Sequence, residues 1–584
     1  METRNCQNCK QSFTIEPEDF AFYEKIKVPS PTWCPDCRMI RRFMFRNERT
    51  WHKRTCDATK KSVLSMFAAD APFPVYELNY WKSDAWDVMQ YGRDVDFSKP
   101  FLAQWNELFK VVPEPNLAQK NCVDSNYANY VLNLKNCYFV ASMDGGEDCA
   151  YTFTAVLHAR NCLDAHMSSD IEWSYELIDG IKANNLRFCQ QTEGCLDSWL
   201  LYDCRNCTNC VGCVGFRGKQ YYIFNEQYTR EEYLAKLKEL NLGSYSGLQA
   251  ARKKFEELKL KIPRKFAAII ASENVLGDDI QYSRNVRGFN IRRDADNVRY
   301  SYRVWDSRDI WDAFVSWDGS ELHCDTMACA GQRIFYSALI YGGSDVSYSY
   351  NCFDCENIFG CVGLRNKQYC ILNKQYSKEE YIKLREQIMK HMSDMPYKDV
   401  RGRVYAYGEF FPPEFSPFAY NETIAQDYYP STRAEVAKFG YPWRDSEKKD
   451  HKATVSTEAI PDHIGEVKDE ILNEVIACAH AGTNCEEQCA TAFKMIPMEL
   501  QFYRKMGVPL PRLCPSCRHY GRVKLKNPLH LWHRRCMCDY EVFSNTAKHA
   551  HHESGRCPNE FETPYAPERK EIIYCEACYN AEIV

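Results

Sequence analysis

The chain has 584 residues, 45% of them hydrophobic, 31 cysteines and a formal net charge of −5. That length implies several domains with real cores, and so small a charge excludes binding to nucleic acid through overall basicity, leaving only local patches. No opening stretch reads as a signal peptide and no apolar run reaches the ~18 residues a membrane helix needs, so the expectation is a cytoplasmic protein without membrane contact whose thiols ligate metal or lie buried and do not form disulfides.

In chain order, Cys6-Gln-Asn-Cys9 is followed after 24 residues by Cys34-Pro-Asp-Cys37-Arg38. Two cysteine pairs so spaced let two tight knuckles converge on one tetrahedral Zn²⁺. The second pair runs straight into Arg38, Arg41, Arg42 and Arg46, as a pair opening a helix would, and knuckle, hairpin and helix together make a treble clef. The stretch returns near the other end, where Cys485 and Cys489 precede Cys514-Pro-Ser-Cys517-Arg518. The gap from Cys9 to Cys34 equals that from Cys489 to Cys514, and Phe13, Pro17, Phe22-Tyr23, Lys25 and Val28-Pro29 match Phe493, Pro497, Phe502-Tyr503, Lys505 and Val508-Pro509 without a gap. The module is duplicated. The pattern of Cys6, Cys9, Phe22, Tyr23, Lys25, Pro29, Cys34, Pro35, Cys37 and Arg38 resembles the zinc-ribbon, treble-clef domains of uncharacterised bacterial proteins. This resemblance covers only the two ends of the chain. It implies zinc binding and brings no activity with it.

Past the first module, Arg38, Arg41, Arg42, Arg46, Arg49, Lys53 and Arg54 are interleaved with Phe43, Phe45 and Trp51, joining phosphate-seeking charge to faces on which bases stack. Arg518, Arg522, Lys524, Lys526, Arg534 and Arg535 repeat the theme. A solvated helix face and strand is the alternative reading of the same residues. Further on, Tyr76-Glu77 and Tyr80-Trp81 line up with Tyr574-Cys575 and Cys578-Tyr579, so a second zinc site is expected in the C-terminal module and is lost from the N-terminal one. Its ligands are Cys557, Cys575 and Cys578, with Cys538 or Cys536 as the fourth and His549, His551 and His552 competing for that place. The count is about three Zn²⁺ per chain.

Phe101, Leu102, Trp105, Leu108 and Phe109 have helical spacing within a connecting segment, 93–120, that Pro113 and Pro115 end. From 121 the texture changes to short segments opened by Asn or Asp, such as Asn136-Cys137 and Asn161-Cys162, at intervals mostly of about 11 to 15 residues, with some longer. These fit strands and turns of a parallel β-solenoid, with stacked Asn at turns and Cys, Leu or Phe inside, several segments making one coil. A second stretch repeats the first at a constant offset: Asp148 falls on Asp296, Asn161 on Asp309, Asp197 on Asp345 and Cys207 on Cys355. Each exit, Cys213 to Asn225 and Cys361 to Asn373, leads to a capping box, Thr229 with Glu232 and Ser377 with Glu380, that starts a helix over the sheet edge. Cys204, Cys207, Cys210 and Cys213 have iron-sulfur spacing, but Ile358 stands where the second copy would need its third cysteine, which favours buried structural thiols. A short helix from Ser431 to Gly440 and a charged loop, Arg444 to Lys452, precede the last module.

The expected fold is therefore mainly β and multidomain: a treble-clef module with a degenerate second site over 1–92, the connecting helix, β-solenoid copy 1 over 121–228, a helical connector over 229–265, copy 2 over 266–376, a helix and irregular connector over 377–477, and the second treble-clef module over 478–584. No nucleophile elbow, phosphate loop or His-Glu-x-x-His helix is present, and closed four-cysteine sites leave no coordination position for substrate. The expected function is a non-catalytic zinc protein whose solenoids scaffold an unknown protein partner. The alternative is nucleic-acid binding through Arg38, Arg41, Arg42, Arg46, Trp51, Arg518, Arg522 and Lys524. A carbohydrate enzyme using Asp148, Asp296, Asp309, Asp312 and Asp345 ranks last, because Asp in such turns is more often a turn-former.

Overall fold

In the stretch from 121 to 224 the backbone enters the left-handed region at every third residue, as at Asn133, Asn136, Phe139, Ser142, Gly145 and Asp148, with one step of four between Thr154 and His158. Asn, Asp and Gly are the residues that tolerate this conformation most cheaply, which is why the segments open on Asn and Asp. The residue after each such corner turns inward: Leu134, Cys137, Val140, Met143 and Cys149 are all buried in one apolar cluster. Neighbouring strands pair in parallel, Asn126 opposite Tyr138 and Leu196 opposite Thr208. The step from one strand to its neighbour is 12 residues in these pairs, with four corners inside it, so one of the shorter intervals seen in the sequence already makes a whole step, where two or more segments per coil were expected. Strict alternation of inward and outward residues fails here because a corner at every third residue turns the chain before a second alternation is complete.

The chain forms two units, each discontinuous in sequence: Met1–Leu117 with Ala267–Arg444, and Ala118–Phe266 with Asp445–Val584. The computed structural model describes residues 1–317, 319–445, 452–481, 485, 488–542, 545 and 547–583. Both units are mainly β, each built on one large, nearly all-parallel sheet. One sheet runs in chain order from Ile269–Ile270 to Lys374–Gln375, the other spans Gln119–Val123 to Glu226–Gln227, and in each only the last pairing is antiparallel. The N-terminal cysteine module thus shares a unit with the second repeat stretch, and the C-terminal module with the first. A strictly linear order of parts does not anticipate this interleaving.

Cysteine and serine recur at the inward positions for a reason beyond size. Sγ of Cys204, Cys207, Cys210 and Cys213 donates to the carbonyl two residues back, at 3.4, 3.4, 3.5 and 3.4 Å. Ser168 and Ser198 do the same with Oγ, at 3.0 and 2.7 Å, and Ser198 also accepts the N–H of Cys210 on the neighbouring strand. A small side chain with one donor satisfies a buried carbonyl that the tight corner turns inward. The Cys-x-x-Cys run is therefore four consecutive inward positions, and Ile358 at the corresponding place in the other sheet is one more buried residue there. Cys210→Ser should keep the hydrogen bond, cost about 1–2 kcal/mol in chemical denaturation and leave the metal content of the chain unchanged; loss of a metal ion would assign that run to a cluster.

Outside, the corner residues form ladders: Asn136 donates to Asp148 and Asn185 to Asp197, each at 2.6 Å, and Asn285 donates to Asp296 at 3.0 Å. After each sheet the expected capping box is present. Thr229 and Glu232 bond reciprocally at the start of Arg230–Leu240, Ser377 and Glu380 at the start of Lys378–Asp394. Tyr233 and Tyr381 of these helices are buried against Tyr221 and Tyr369 of the last parallel strands. The connecting helix is Phe101–Phe109, with all five expected apolar residues buried. The short helix of the connector is Arg433–Lys438, capped by Thr432, with Gly440 at φ +70° just past its end. Of the charged loop Arg444 to Lys452, residues 446–451 lie outside the described residues. No helix among the described residues is long and apolar enough to cross a membrane, and none of the 31 cysteines forms a disulfide.

Candidate metal centres

The hairpin Glu2–Asn5 with Ser12–Ile15 ends in a knuckle whose turn closes by Lys10 N–H to Cys6 O, 3.0 Å, with Lys10 at φ 66°. Cys34 is the N-cap residue of the helix Pro35–Phe43, and Pro35 at its first position is preset for helix. Knuckle and helix start bring Cys6, Cys9, Cys34 and Cys37 together, every sulfur within 4.8 Å of the others and Cys9 to Cys34 at 3.7 Å. Four thiolates at about 2.3 Å around a tetrahedral Zn²⁺ stand about 3.8 Å apart. The geometry fits that ion.

In the C-terminal module the grouped residues are Cys478, Cys489, Cys514 and Cys517. Cys478 stands in this group where the spacing led to the expectation of Cys485. Ala479 N–H bonds to Arg512 O as Gln7 N–H bonds to Thr32 O, so Cys478 holds the place of Cys6. Ten residues separate Cys478 from Cys489 where two separate Cys6 from Cys9. Cys485 lies in that extension as a fifth thiol, 3.6 Å from Cys517, while Cys478 is 3.9 Å from Cys517. The spacing Cys485-x-x-x-Cys489 imitates a knuckle and hides the longer one, which the pairing of Ile476–Ala477 with Ala492–Phe493 also reveals.

The third group is Cys536, Cys557, Cys575 and Cys578, all buried, with Cys557 and Cys575 at 3.9 Å. Cys536 takes the fourth place, and Cys538 falls instead among His549, His552 and Cys578. A signal for Cys536 exists in the sequence: it is offset from Cys56 by the same amount as Cys514 from Cys34. The N-terminal counterpart keeps the knuckle, Lys60 N–H to Cys56 O at 3.0 Å, and Cys56 accepts the N–H of Glu77 at 3.1 Å as Cys536 accepts that of Cys575 at 3.2 Å. Thr59, Glu77 and Tyr80 stand where the other module has Cys557, Cys575 and Cys578, so only one thiol of that set remains.

Within each four-cysteine group one thiol is driven well below its ordinary pKa by its neighbours: Cys6 by hydrogen bonds from Cys34 and Cys37, Cys514 by Cys478 and Cys517, and Cys575, lowered to about 3, first by Cys536. Cys37 and Cys517 are pushed up, by Cys34 and Cys478 first. Four thiols packed so closely cannot all ionise unaided. A bound dication removes the conflict, since it takes every thiol as thiolate and releases the protons.

No family model matches the chain, and no curated protein does. Among solved structures, a provisionally assigned acetyltransferase from Desulfovibrio desulfuricans G20 is similar at 8% identity over 50% of this chain and 77% of that one, with a TM-score of 0.10. Likeness of that degree carries no argument about fold or activity.

Six of the eight residues expected to grip phosphates lie elsewhere than at the surface. Arg38, Arg41, Arg42, Arg46, Arg518 and Arg522 are all buried, while Trp51 is half-buried and Lys524 exposed. In the first unit Arg38 Nε donates to Asp312 at 2.8 Å, Arg41 to Asp325 at 2.7 Å and Glu409 at 2.9 Å, and Arg42 to Asp325 at 2.8 Å. Phe22 of the preceding helix stacks on Trp311 at 3.9 Å. Burial opposes the charge on Arg41, but Asp325 and Glu409 hold its pKa above the usual arginine value. The second unit repeats the contact: Arg518 and Arg522 approach Asp164 at 3.0 and 2.8 Å. Asp164 and Asp312 are equivalent by the repeat offset, as Arg518 and Arg522 are to Arg38 and Arg42. Guanidinium groups occupied in this way cannot release counterions from a nucleic acid, and Asp312 is occupied within its own unit. Of the other candidate carboxylates, Asp148, Asp296, Asp309 and Asp345 accept from Asn136, Asn285, Asn297 and Arg333 in the corner ladders.

Proposed function

We propose that this is a non-catalytic zinc protein in which each sheet is the wall of a narrow parallel β-solenoid and each terminal treble clef is a structural module fastened onto the solenoid of its own unit, the whole serving as a scaffold for a protein partner. The observation that carries the reading is the burial of Arg38, Arg41 and Arg42 against Asp312, Asp325 and Glu409, repeated by Arg518 and Arg522 on Asp164. Basic side chains committed to carboxylates of the same unit hold the module in place, and this burial weighs against the nucleic-acid reading at six of the eight residues on which it rested. The solenoid is supported by the parallel pairing at steps near 12 residues and the corner at every third residue. Zinc, at three four-cysteine sites, is supported by sulfur spacing and by ligand type, since closed thiolate tetrahedra are the usual structural zinc sites.

The test is purification of the native protein from its own cells, with and without nuclease. A protein partner that stays bound in fixed stoichiometry after nuclease treatment is the expected result. A partner released by nuclease, or affinity of the isolated chain for RNA at ~50 mM salt that falls steeply as salt rises, would return the function to nucleic-acid binding.

A further inference from the structure

The knuckle that carries Cys536 and Cys557 holds 20 residues between them, where Cys56 and Thr59 are separated by two. That extension brings in Cys538, His549, His551 and His552. Cys538 Sγ lies 3.5 Å from His549 Nδ1 and 3.4 Å from His552 Nε2, the two nitrogens are 3.2 Å apart, and Cys578 Sγ is 3.5 Å from His552 Nε2. Ligands at about 2.3 Å for sulfur and 2.0–2.1 Å for nitrogen around one tetrahedral ion stand about 3.6 Å apart for N–S and about 3.3 Å for N–N. We propose that the extension builds a fourth zinc site, a mixed centre of Cys538, His549, His552 and Cys578 directly beside the one held by Cys536, Cys557 and Cys575.

Two further observations point the same way. His549 Nε2, on the far side of the ring, is 2.8 Å from Glu582 Oε1, the carboxylate–histidine pairing that fixes tautomer and orientation of a metal-ligating ring. Asn545 Nδ2 donates to Cys538 Sγ at 3.2 Å, as Asn559 Nδ2 donates to Cys575 Sγ at 3.4 Å, giving the sulfurs of both centres an amide donor that favours thiolate. The donors also suffice for two ions. Cys578 faces both centres, and His551 Nε2, 3.2 Å from Cys578, 3.4 Å from Cys557 and 3.9 Å from Cys575, is an eighth donor within reach of the first ion when Cys578 serves the second. Zinc is favoured over softer-site metals by the mixed imidazole and thiolate set in tetrahedral array.

The inference rests on the reading that the cysteine groups bind zinc, and the experiment separates the two. The full-length chain, loaded with Zn²⁺ under reducing conditions and desalted, should contain four zinc per chain by elemental analysis. The double variant His549→Ala/His552→Ala should contain three. Glu582→Gln, which removes no ligand, should leave four at saturation but weaken the last-bound zinc by about 10–100-fold in chelator competition. Three zinc in the unaltered chain, or four that neither variant affects, overturns the fourth site alone; no bound zinc at all overturns the structural-zinc reading and this inference with it.

Discussion

Removing zinc from the full chain, or replacing Cys37 with Ser, should abolish amide protection of the helix Pro35–Phe43 and the hairpins around it while strands of the sheet from Glu273 to Ile371 keep theirs. The expected loss is large, because the apparent binding energy of a structural zinc site, about 10–16 kcal/mol, is folding energy for a module with so small a core. Cys37 belongs to the helix whose N-cap is Cys34 and which carries Arg38, Arg41 and Arg42. Without the metal the helix start loses its anchor, and the three guanidiniums lose the geometry that holds them on Asp312 and Asp325. Hydrogen exchange read by mass spectrometry resolves this segment by segment. A module that stays protected after elemental analysis has shown every zinc removed would end the structural account of these sites.

Much of that site was legible from residue order alone. Cys6, Cys9, Cys34 and Cys37 are one group as spacing predicts, the helix begins at the Cys-Pro step, and the matched exits and capping boxes of the two repeat stretches lie where the offset puts them. What escaped has physical causes. A corner at every third residue is a period that neither the helical nor the strand template detects, so the fourfold subdivision of the 12-residue step stayed hidden although its inward Cys and Ser are visible once the period is known. Cys478 and Cys536 were obscured by extensions inside knuckles, which move one ligand of a pair while nearby cysteines mimic the ordinary spacing. The arginines were misjudged because a basic run has the same appearance whether it faces water or a buried carboxylate. Asp164 and Asp312 carried the missing information: a carboxylate kept in both sheets, opposite arginines kept in both modules, is the signature of a contact inside each unit.

Asp325→Ala should be among the most damaging single changes in the first unit. Asp325 is buried and accepts from Arg41 at 2.7 Å and from Arg42 at 2.8 Å. Deleting it leaves Arg42 with Asp312 at 3.4 Å and Arg41 with Glu409 at 2.9 Å, so two buried positive charges share what remains. Removing one partner of a buried pair typically costs about 3–5 kcal/mol, because the survivor is left desolvated without its counter-charge, whereas replacing the whole pair by apolar groups is often nearly neutral. The double variant Asp325→Ala/Arg42→Met should therefore cost less than the sum of its single changes, by about 1–3 kcal/mol. The same cycle distinguishes the two fates of a basic run. A phosphate-binding Arg42 at the surface could be changed with little effect on stability, within about 0.5 kcal/mol, and without coupling to any carboxylate. A latched Arg42 cannot. Chemical denaturation of the zinc-loaded chain, followed by tryptophan emission from Trp311 stacked on Phe22, reads the difference, and single changes that neither destabilise nor couple would release the module from the sheet and reopen its basic face to other partners.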